Sequence, residues 1–426
     1  MRRVSALIAA VALGLGALTA CGGGASDSGG PVKLRFLSLA WQKESVKANK
    51  ELVAAWNKTH PDVHVTYVQG SWDTVHDQLV TSFEGGNAAD IIHDAADDIA
   101  GFADQGYLAD LRDLIPADLK RDTPQAAWNM TTFGKGGIYG VPFLQEPRLL
   151  MANTKLLKSS GVRIPTTAKP WTWDEFRAAA KKLTHGKTYG VAWPMKEPVS
   201  AVLNLSMGYG GRYFYQSGGK WQVRFGAGEQ AVPRLIHDQV NVDHSAPKEA
   251  LGMSGSDTLP GFFSGKYAMV PLGLSYRQQI DEQAPKGFDW TVLPPVAGQT
   301  QAQGVSPQTL SLSATGEHQK QAMAFVRYFL SAKNQVTLAK GDWMLPVSRT
   351  AVGDPAFATD EFGWRTGAQA AGSLVAEPAQ AAQGYSEWMD KVATPAFQQY
   401  FSGTIDQAQL GTKLVKDGDQ VLSRYR

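Results

Sequence analysis

From Val32 onward the chain alternates between segments of two-residue apolar period and segments of helical period. In "VKLRFLSL" Val32, Leu34 and Phe36 fall opposite Lys33 and Arg35, the pattern of a half-buried strand. In "KESVKANKELVAAWNKTH" Val46, Leu52, Val53 and Trp56 share one helical face, and His60-Pro61-Asp62 ends it. "VHVTYV" is again a strand, with Val63, Val65 and Tyr67 on one side. A helix carrying Val75, Leu79, Val80 and Phe83 follows, with Asp73 placed to cap it and Gly85-Gly86-Asn87 to break it. "ADIIHD" is a short buried strand. The order β-α-β-α-β predicts a mostly parallel sheet covered by helices on both faces. Later, Thr172 and Glu175 stand at capping-box spacing before a helix that turns Phe176, Ala179, Ala180 and Leu183 inward. In "QAMAFVRYFLSAKNQVTLAK" the residues Ala322, Phe325, Phe329 and Val336 lie near one helical face.

The first thirty residues read differently. Met1-Arg2-Arg3 precedes an apolar run of roughly 15 residues, which suits an export signal better than a membrane span of about 20. Leu18-Thr19-Ala20-Cys21 resembles the lipobox of bacterial lipoproteins, in which the cysteine becomes the lipidated first residue; a plain secretory signal is the alternative. Cys21 is the only cysteine, so an internal disulfide is excluded. Gly22 to Gly30 has the composition of a flexible tether.

Composition narrows the function classes. Residues 1–20 hold two of the 41 basic side chains and none of the 39 acidic ones, so the rest of the chain balances 39 against 39. Phosphate backbones need clustered basic charge, and no such run occurs, which argues against nucleic acid. With 43% apolar and 19% charged residues the chain is globular, and its length allows two or three domains.

The order of these signals resembles the extracellular solute-binding proteins of carbohydrate ABC importers, the family that includes the maltose-binding protein. The stretches "AWNKTHPDVHVTYV", "LVTSFEGGNAADII", "GYLADLRDLIP", "GGIYGVPF", "GVRIPTTAKPWTWDEF", "FFSGKYAMV" and "PQTLSLSATGEHQKQAMAFVRYFL" follow one another in the family's order. Two positions depart from it: Ala89 stands where proline is usual before Asp90, and the tyrosine usual before Asn153 is absent. The resemblance implies an α/β protein of the two-lobed periplasmic-binding-protein-like fold, with two mostly parallel sheets flanked by helices and a ligand cleft between the lobes. It divides the chain into a lipoprotein signal at 1–20, a lipidated cysteine and linker at 21–31, a first lobe at 32–111 with 306–350, and a second at 112–305 with 351–426. The crossings are expected near Asp110 to Asp113 and Gln303 to Leu310. It further implies a monomer held by lipid at the outer face of the cytoplasmic membrane, as is common in Gram-positive bacteria, with an ABC permease as partner, a carbohydrate as ligand and no cofactor or metal.

A sugar presents hydroxyl edges and weakly apolar faces, so its site needs carboxylates, amides or arginine beside aromatic rings. The 12 tryptophans are plentiful. Trp41 follows the first strand, Trp72 the second, and Asp94, Asp97 and Asp98 the third; Glu146 and Arg148 follow "GVPFLQ", Trp193 follows "YGVA", and Tyr276 follows the "YAMV" strand. Pro142 and Pro147 bracket Glu146, which matches a binding position in the family. "YSEWMDKV" resembles a late helix that donates a stacking ring in the maltose-binding branch, which puts Trp388 forward. Trp56, Trp128, Trp171 and Trp173 read as packing.

Other chemistries find little support. In "HGKTYG" a lysine, Lys181, stands where a phosphate loop needs its first glycine, and "GYGGRY" lacks the third spaced glycine of a dinucleotide fingerprint. His237 to His244 holds ligand-type residues without a recognised metal spacing. No H-E-x-x-H or G-x-S-x-G occurs. Two alternatives stay open: the same fold carrying another polar solute, such as a polyamine, glycerol-phosphate-like or peptide ligand, and a secreted glycoside hydrolase whose paired acids are remote in sequence.

Overall fold

The computed structural model describes residues 30–377, 379 and 382–425. The predicted signal, Cys21 and nearly all of the tether lie outside the described residues. Among the described residues no helix is long and apolar enough to cross a membrane.

The first lobe is built on a six-stranded sheet in the order Leu345–Pro346, Val141–Gln145, Gln308–Leu312, Ile91–Ala95, Val32–Ser38, Val63–Gln69. Its three N-terminal strands run parallel, as the alternation of strands and helices requires. Gln308–Leu312, however, runs antiparallel to both Ile91–Ala95 and Val141–Gln145, and Leu345–Pro346 is antiparallel to Val141–Gln145. The sheet is therefore mixed rather than mostly parallel. The physical reason is connectivity: a strand that returns from the other lobe needs no crossover helix within the sheet, so nothing forces it parallel. Helices Lys43–Thr59 and Gln319–Phe329 cover one face. Phe36 packs there against Phe325 and Phe329 at 5.7 and 5.1 Å, and the Trp56 indole N–H donates to the Val63 carbonyl at 3.1 Å. The long apolar pattern after Gln319 is two helices, since Ser331 takes an extended conformation before Ala332–Asp342 begins.

The second lobe holds a three-stranded antiparallel sheet, Met269–Gly273, Arg148–Asn153 and Trp290–Leu293, so here too the expected parallel pairing is not what forms. Helix Trp173–Leu183 starts with the capping box between Thr172 and Glu175 and buries Phe176, Ala179, Ala180 and Leu183. Trp171, Trp173, Trp193 and Trp388 are all inside this lobe.

Strand membership moves the lobe boundary. Val141–Gln145 belongs to the first sheet, and Asp118 and Asp122 bind Arg327 and Ser348 of the same lobe, so residues 112–145 lie in the first lobe and not the second. The outgoing crossing is Glu146–Pro147. The return falls at Ser306–Pro307, between strand Gln303–Val305 and strand Gln308–Leu312. Gln303 clamps the two passes together, accepting from the Arg148 N–H at 2.9 Å and donating to the Arg148 carbonyl at 3.0 Å.

Beside the crossings sits Arg277, fully buried, at the start of helix Tyr276–Gln283. Its guanidinium donates to the carbonyls of Leu274, Trp343 and Phe362 at 2.7, 2.6 and 2.9 Å and lies 3.9 Å from the Trp364 ring centre. Trp343 and Phe362 both have φ near +50°, a conformation that costs a bulky residue roughly 1–3 kcal/mol. The three charge-assisted hydrogen bonds offset that strain. Burial draws the guanidinium down to about 9, with the Glu146 charge acting the other way.

Two other buried charges set the response to pH. Burial pushes the carboxyls of Asp342 and Glu377 up to about 7; Ser45 opposes this at Asp342 and the Ala379 N–H at Glu377. Because the folded-state values lie above the ordinary ones, the fold favours the protonated acids. Their stabilisation is complete below about pH 4 and is lost as pH rises to about 7. Burial draws His93 down to about 4, which acts in the opposite sense over the same window, so the test compares variants. The melting temperature of the wild-type chain relative to Asp342→Asn is expected to fall as pH rises from about 4 to about 7 in calorimetric scans, and a difference that does not change with pH contradicts the assignment. A second expectation concerns packing: Trp388→Ala removes a fully buried indole and lowers unfolding free energy by about 3–5 kcal/mol in chemical denaturation.

Candidate functional site

The first lobe turns the C-terminal ends of its parallel strands toward the second, which is where open α/β sheets bind ligands. The loops after Val32–Ser38 and Val63–Gln69 are tied together, since Gln69 donates to the Ala40 carbonyl at 2.7 Å and the Gly70 N–H to the Ser38 carbonyl at 2.9 Å. Trp41 leaves this junction with 54% of its surface exposed, an unusual state for an indole. Next to it Gln42 is buried, and both ends of its amide lack a partner. Trp72 is half-buried and sets its edge against His93, 5.4 Å away at 85°.

His93 is part of the floor. Its Nδ1 accepts from the Leu39 N–H at 3.0 Å, so the ring proton is on Nε2, which donates to Gln308 at 3.0 Å. Burial draws the imidazole down to about 4, and it is neutral at physiological pH. Its role is to tie strand Ile91–Ala95 to the end of the first strand and to the returning strand.

Beyond His93 the chain forms the acid loop. Asp94 is buried; one carboxylate oxygen accepts from the Ala95 N–H at 2.8 Å, and the other has no partner. Burial, with the charges of Asp98 and Asp97 nearby, holds Asp94 well above the usual carboxylate range. Asp97 accepts from Ser306 Oγ at 2.8 Å, which ties the loop to the return crossing, and burial raises its carboxyl too. Asp98 contacts His76 Nδ1 at 2.8 Å. The structure thus brings Asp94, Asp97 and Asp98 together, with Trp72 alongside. Asp73 is not a cap; Thr74 occupies that position.

Across the cleft the second lobe contributes Glu146, Arg148 and Tyr276, all half-buried. The Glu146 carboxylate accepts from the Ser275 N–H at 2.7 Å and from Ser275 Oγ at 3.3 Å. Gly273 makes this approach possible, since a Cβ there would sit 2.5 Å from the Glu146 carboxylate. The charges of Arg148 and Glu146 both reach the Tyr276 hydroxyl, which burial raises above its ordinary value.

Two expected ligand contacts are corrected. Trp193 is 1% exposed, its indole N–H donates to Gln239 at 2.7 Å, and Phe176 lies edge-on to it; the ring is core. Trp388 is fully buried, donating to the Leu414 carbonyl at 3.2 Å and meeting Phe214 at 90°. Trp193 lies in an extended stretch before helix Pro198–Ser206 and Trp388 on a short helix, and in both places the ring packs inward. From the same late stretch it is Tyr385 whose hydroxyl feels the Asp97 charge. No local signal separates Tyr385 from Trp388, because they share one helical face three residues apart.

Among the described residues no group of three or more His, Cys, Asp or Glu side chains is placed to hold a metal ion. What the two walls offer is hydrogen-bonding carboxyls, an arginine and exposed or half-buried rings, drawn from both lobes at the crossings.

Comparison with known proteins agrees with this geometry. The chain is 59% identical over 389 residues to a lipoprotein of Streptomyces antibioticus encoded in the oleD 5' region, covering 91% of this chain and 86% of that one. Its fold is similar to the sugar-binding protein MalE of Xanthomonas citri, with a TM-score of 0.80 at 19% identity over 93% of this chain and 98% of that one. It is also similar to the GacH receptor of Streptomyces glaucescens, solved unliganded and with acarbose, with a TM-score of 0.76 at 22% identity over 93% and 100%. The family model of the bacterial extracellular solute-binding proteins matches residues 40–336, more than half of the chain, and the protein belongs to that family.

Proposed function

We propose that the protein captures a sugar or oligosaccharide in the cleft between its lobes and hands it to an ABC importer, while an acyl chain on Cys21 holds it at the outer face of the membrane. What supports this reading is that the acid loop, tied through Asp97 to Ser306, and the Glu146–Arg148 segment, clamped through Arg148 to Gln303, both lie at the lobe crossings of a solute-binding fold, with Trp41 exposed on the first lobe. The raised carboxyl of Asp94 favours a neutral polyol over a cationic solute. A protonated acid both donates to and accepts from hydroxyls, whereas a polyamine gains most from ionised acids. The lobes close around the ligand like a hinge, which removes water and strengthens every hydrogen bond inside. The sugar-binding protein MalE and the GacH receptor solved with acarbose share this fold, which supports a carrier over a hydrolase.

A thermal-shift screen against mono- and oligosaccharides identifies the ligand, since a ligand at about 100 times its Kd stabilises by about 2.7 kcal/mol. With that ligand, Glu146→Gln is expected to weaken binding by about 1.5–3 kcal/mol, roughly 10- to 150-fold, in calorimetric titration. Trp41→Ala is expected to lose about 5- to 30-fold with an unchanged melting temperature, because the exposed ring contributes little to the fold. Wild-type affinity in both variants places the site elsewhere. The sugar profile is unchanged after incubation; a shortened product would instead show a hydrolase.

The anchor is tested separately. Cys21→Ser is expected to release the protein into the medium and to abolish incorporation of labelled fatty acid, and unchanged membrane retention refutes the lipid attachment.

A further inference from the structure

A second opening of about 1020 Å³ lies between the lobes, and none of the cleft residues described above lines it. One wall is the exposed side of helix Ala96–Asp104 with the hairpin that carries Phe133 and Tyr139; the other is the hairpin Phe214–Ser217/Lys220–Val223 with the chain end at Tyr425. Both hairpins turn on glycines at positive φ, Gly134 and Gly136 in one and Gly218 and Gly219 in the other.

The walls carry rings that are held in place. Phe133 and Tyr139 lie with their planes 19° apart and centres 6.2 Å apart, both half-buried. Trp221 is half-buried in the facing hairpin. Tyr425 keeps 43% of its surface exposed, yet it is fixed at both ends: its hydroxyl donates to Glu387 at 2.9 Å, and its ring packs so closely on Gly384 that a Cβ there would be 2.6 Å away. Between the rings stand Lys220, Gln222 and Asp104.

The opening lies one helical turn from the acid loop along helix Ala96–Asp104. Helix Ala96–Asp104 bears Asp97 in its first turn and Ala100 and Asp104 one and two turns on, along the same face, so the second opening begins about 5 Å past Asp97. On the other lobe Gln383, at the edge of the opening, is two residues from Tyr385, whose hydroxyl feels the Asp97 charge.

We infer that this opening is a second saccharide platform, which takes the units of a neutral oligosaccharide extending outward from the acid loop. Pyranose rings need flat apolar surfaces for their faces and amides or charged groups for their edges, and this groove interleaves the two. At about 1020 Å³ it is at the upper end of the range for small-molecule sites, more than one sugar unit requires. Rings with few free rotamers lose little entropy on stacking. The inference rests on the carbohydrate function proposed above and adds the chain length of the ligand to it.

The test uses malto-, cello- and xylo-oligosaccharides from disaccharide to hexasaccharide, titrated calorimetrically into the mature chain, Trp221→Ala and Tyr425→Ala. Wild-type affinity is expected to rise with chain length in the series that binds. Each variant is expected to lose about 5- to 30-fold for the hexasaccharide and less than about 2-fold for the disaccharide. Tyr425→Phe, which keeps the ring, restores most of the loss. Tyr425 is 43% exposed and lies at the end of the chain, so its variant folds even if Trp221→Ala does not. No binding of any series by the wild-type chain removes the carbohydrate function and this platform with it. Wild-type binding with a loss that is absent, or equal for short and long members, overturns the platform alone.

Discussion

A guanidinium with no acid bonded to it stands where the two lobes meet. Arg277 donates to three backbone carbonyls, those of Leu274 in its own lobe, of Trp343 beside the first-lobe sheet, and of Phe362 farther along the chain. Trp364 covers the charge from the side, with Lys340 against the same ring at 3.9 Å. The back of the cleft is thereby held by short, buried, charge-assisted bonds, and the front is left to separate. Gln303, clamping the Arg148 backbone, holds the two passes in the same region.

Electrostatics at this junction follow from burial. The nearest compensation for Arg277 is the field of Glu146, whose carboxylate is occupied by Ser275 and also bears on Asp342. For acids placed deep in the structure, Asp94, Asp342 and Glu377, burial outweighs every compensating contact, including the Arg212 charge near Glu377, and shifts them toward the protonated form. In the acid loop burial therefore shifts Asp94 and Asp97 toward the neutral, hydrogen-bonding form. That is the chemistry a neutral hydroxylated solute requires, and it explains how three aspartates coexist within five residues.

The parts of the site that were legible in the sequence are those that local rules control. Strand ends followed by polar loops placed Trp41, Trp72 and Asp94 to Asp98 on the first wall, and the two prolines around Glu146 marked a rigid connection. The aromatic contacts were harder. Trp193 and Trp388 occupy patterns indistinguishable from those of ring platforms, and only Gln239, Leu414 and the helices behind them made these indoles core. Nothing in the local sequence marks Arg277 as a buried pin, because two of its three acceptors come from segments 66 and 85 residues away.

The sequence by itself determined the element types, the capping box at Thr172 and Glu175, the core roles of Trp56, Trp128, Trp171 and Trp173, and the family. All of these depend on period, spacing and side-chain type within one segment or on motif order along the chain. The tertiary structure alone decided the direction of the returning strands, the transfer of residues 112–145 to the first lobe, which rings face the cleft, and which acids lose their charge. Those outcomes are set by burial and by hydrogen-bond partners drawn from remote segments, and no local pattern encodes which remote segment arrives.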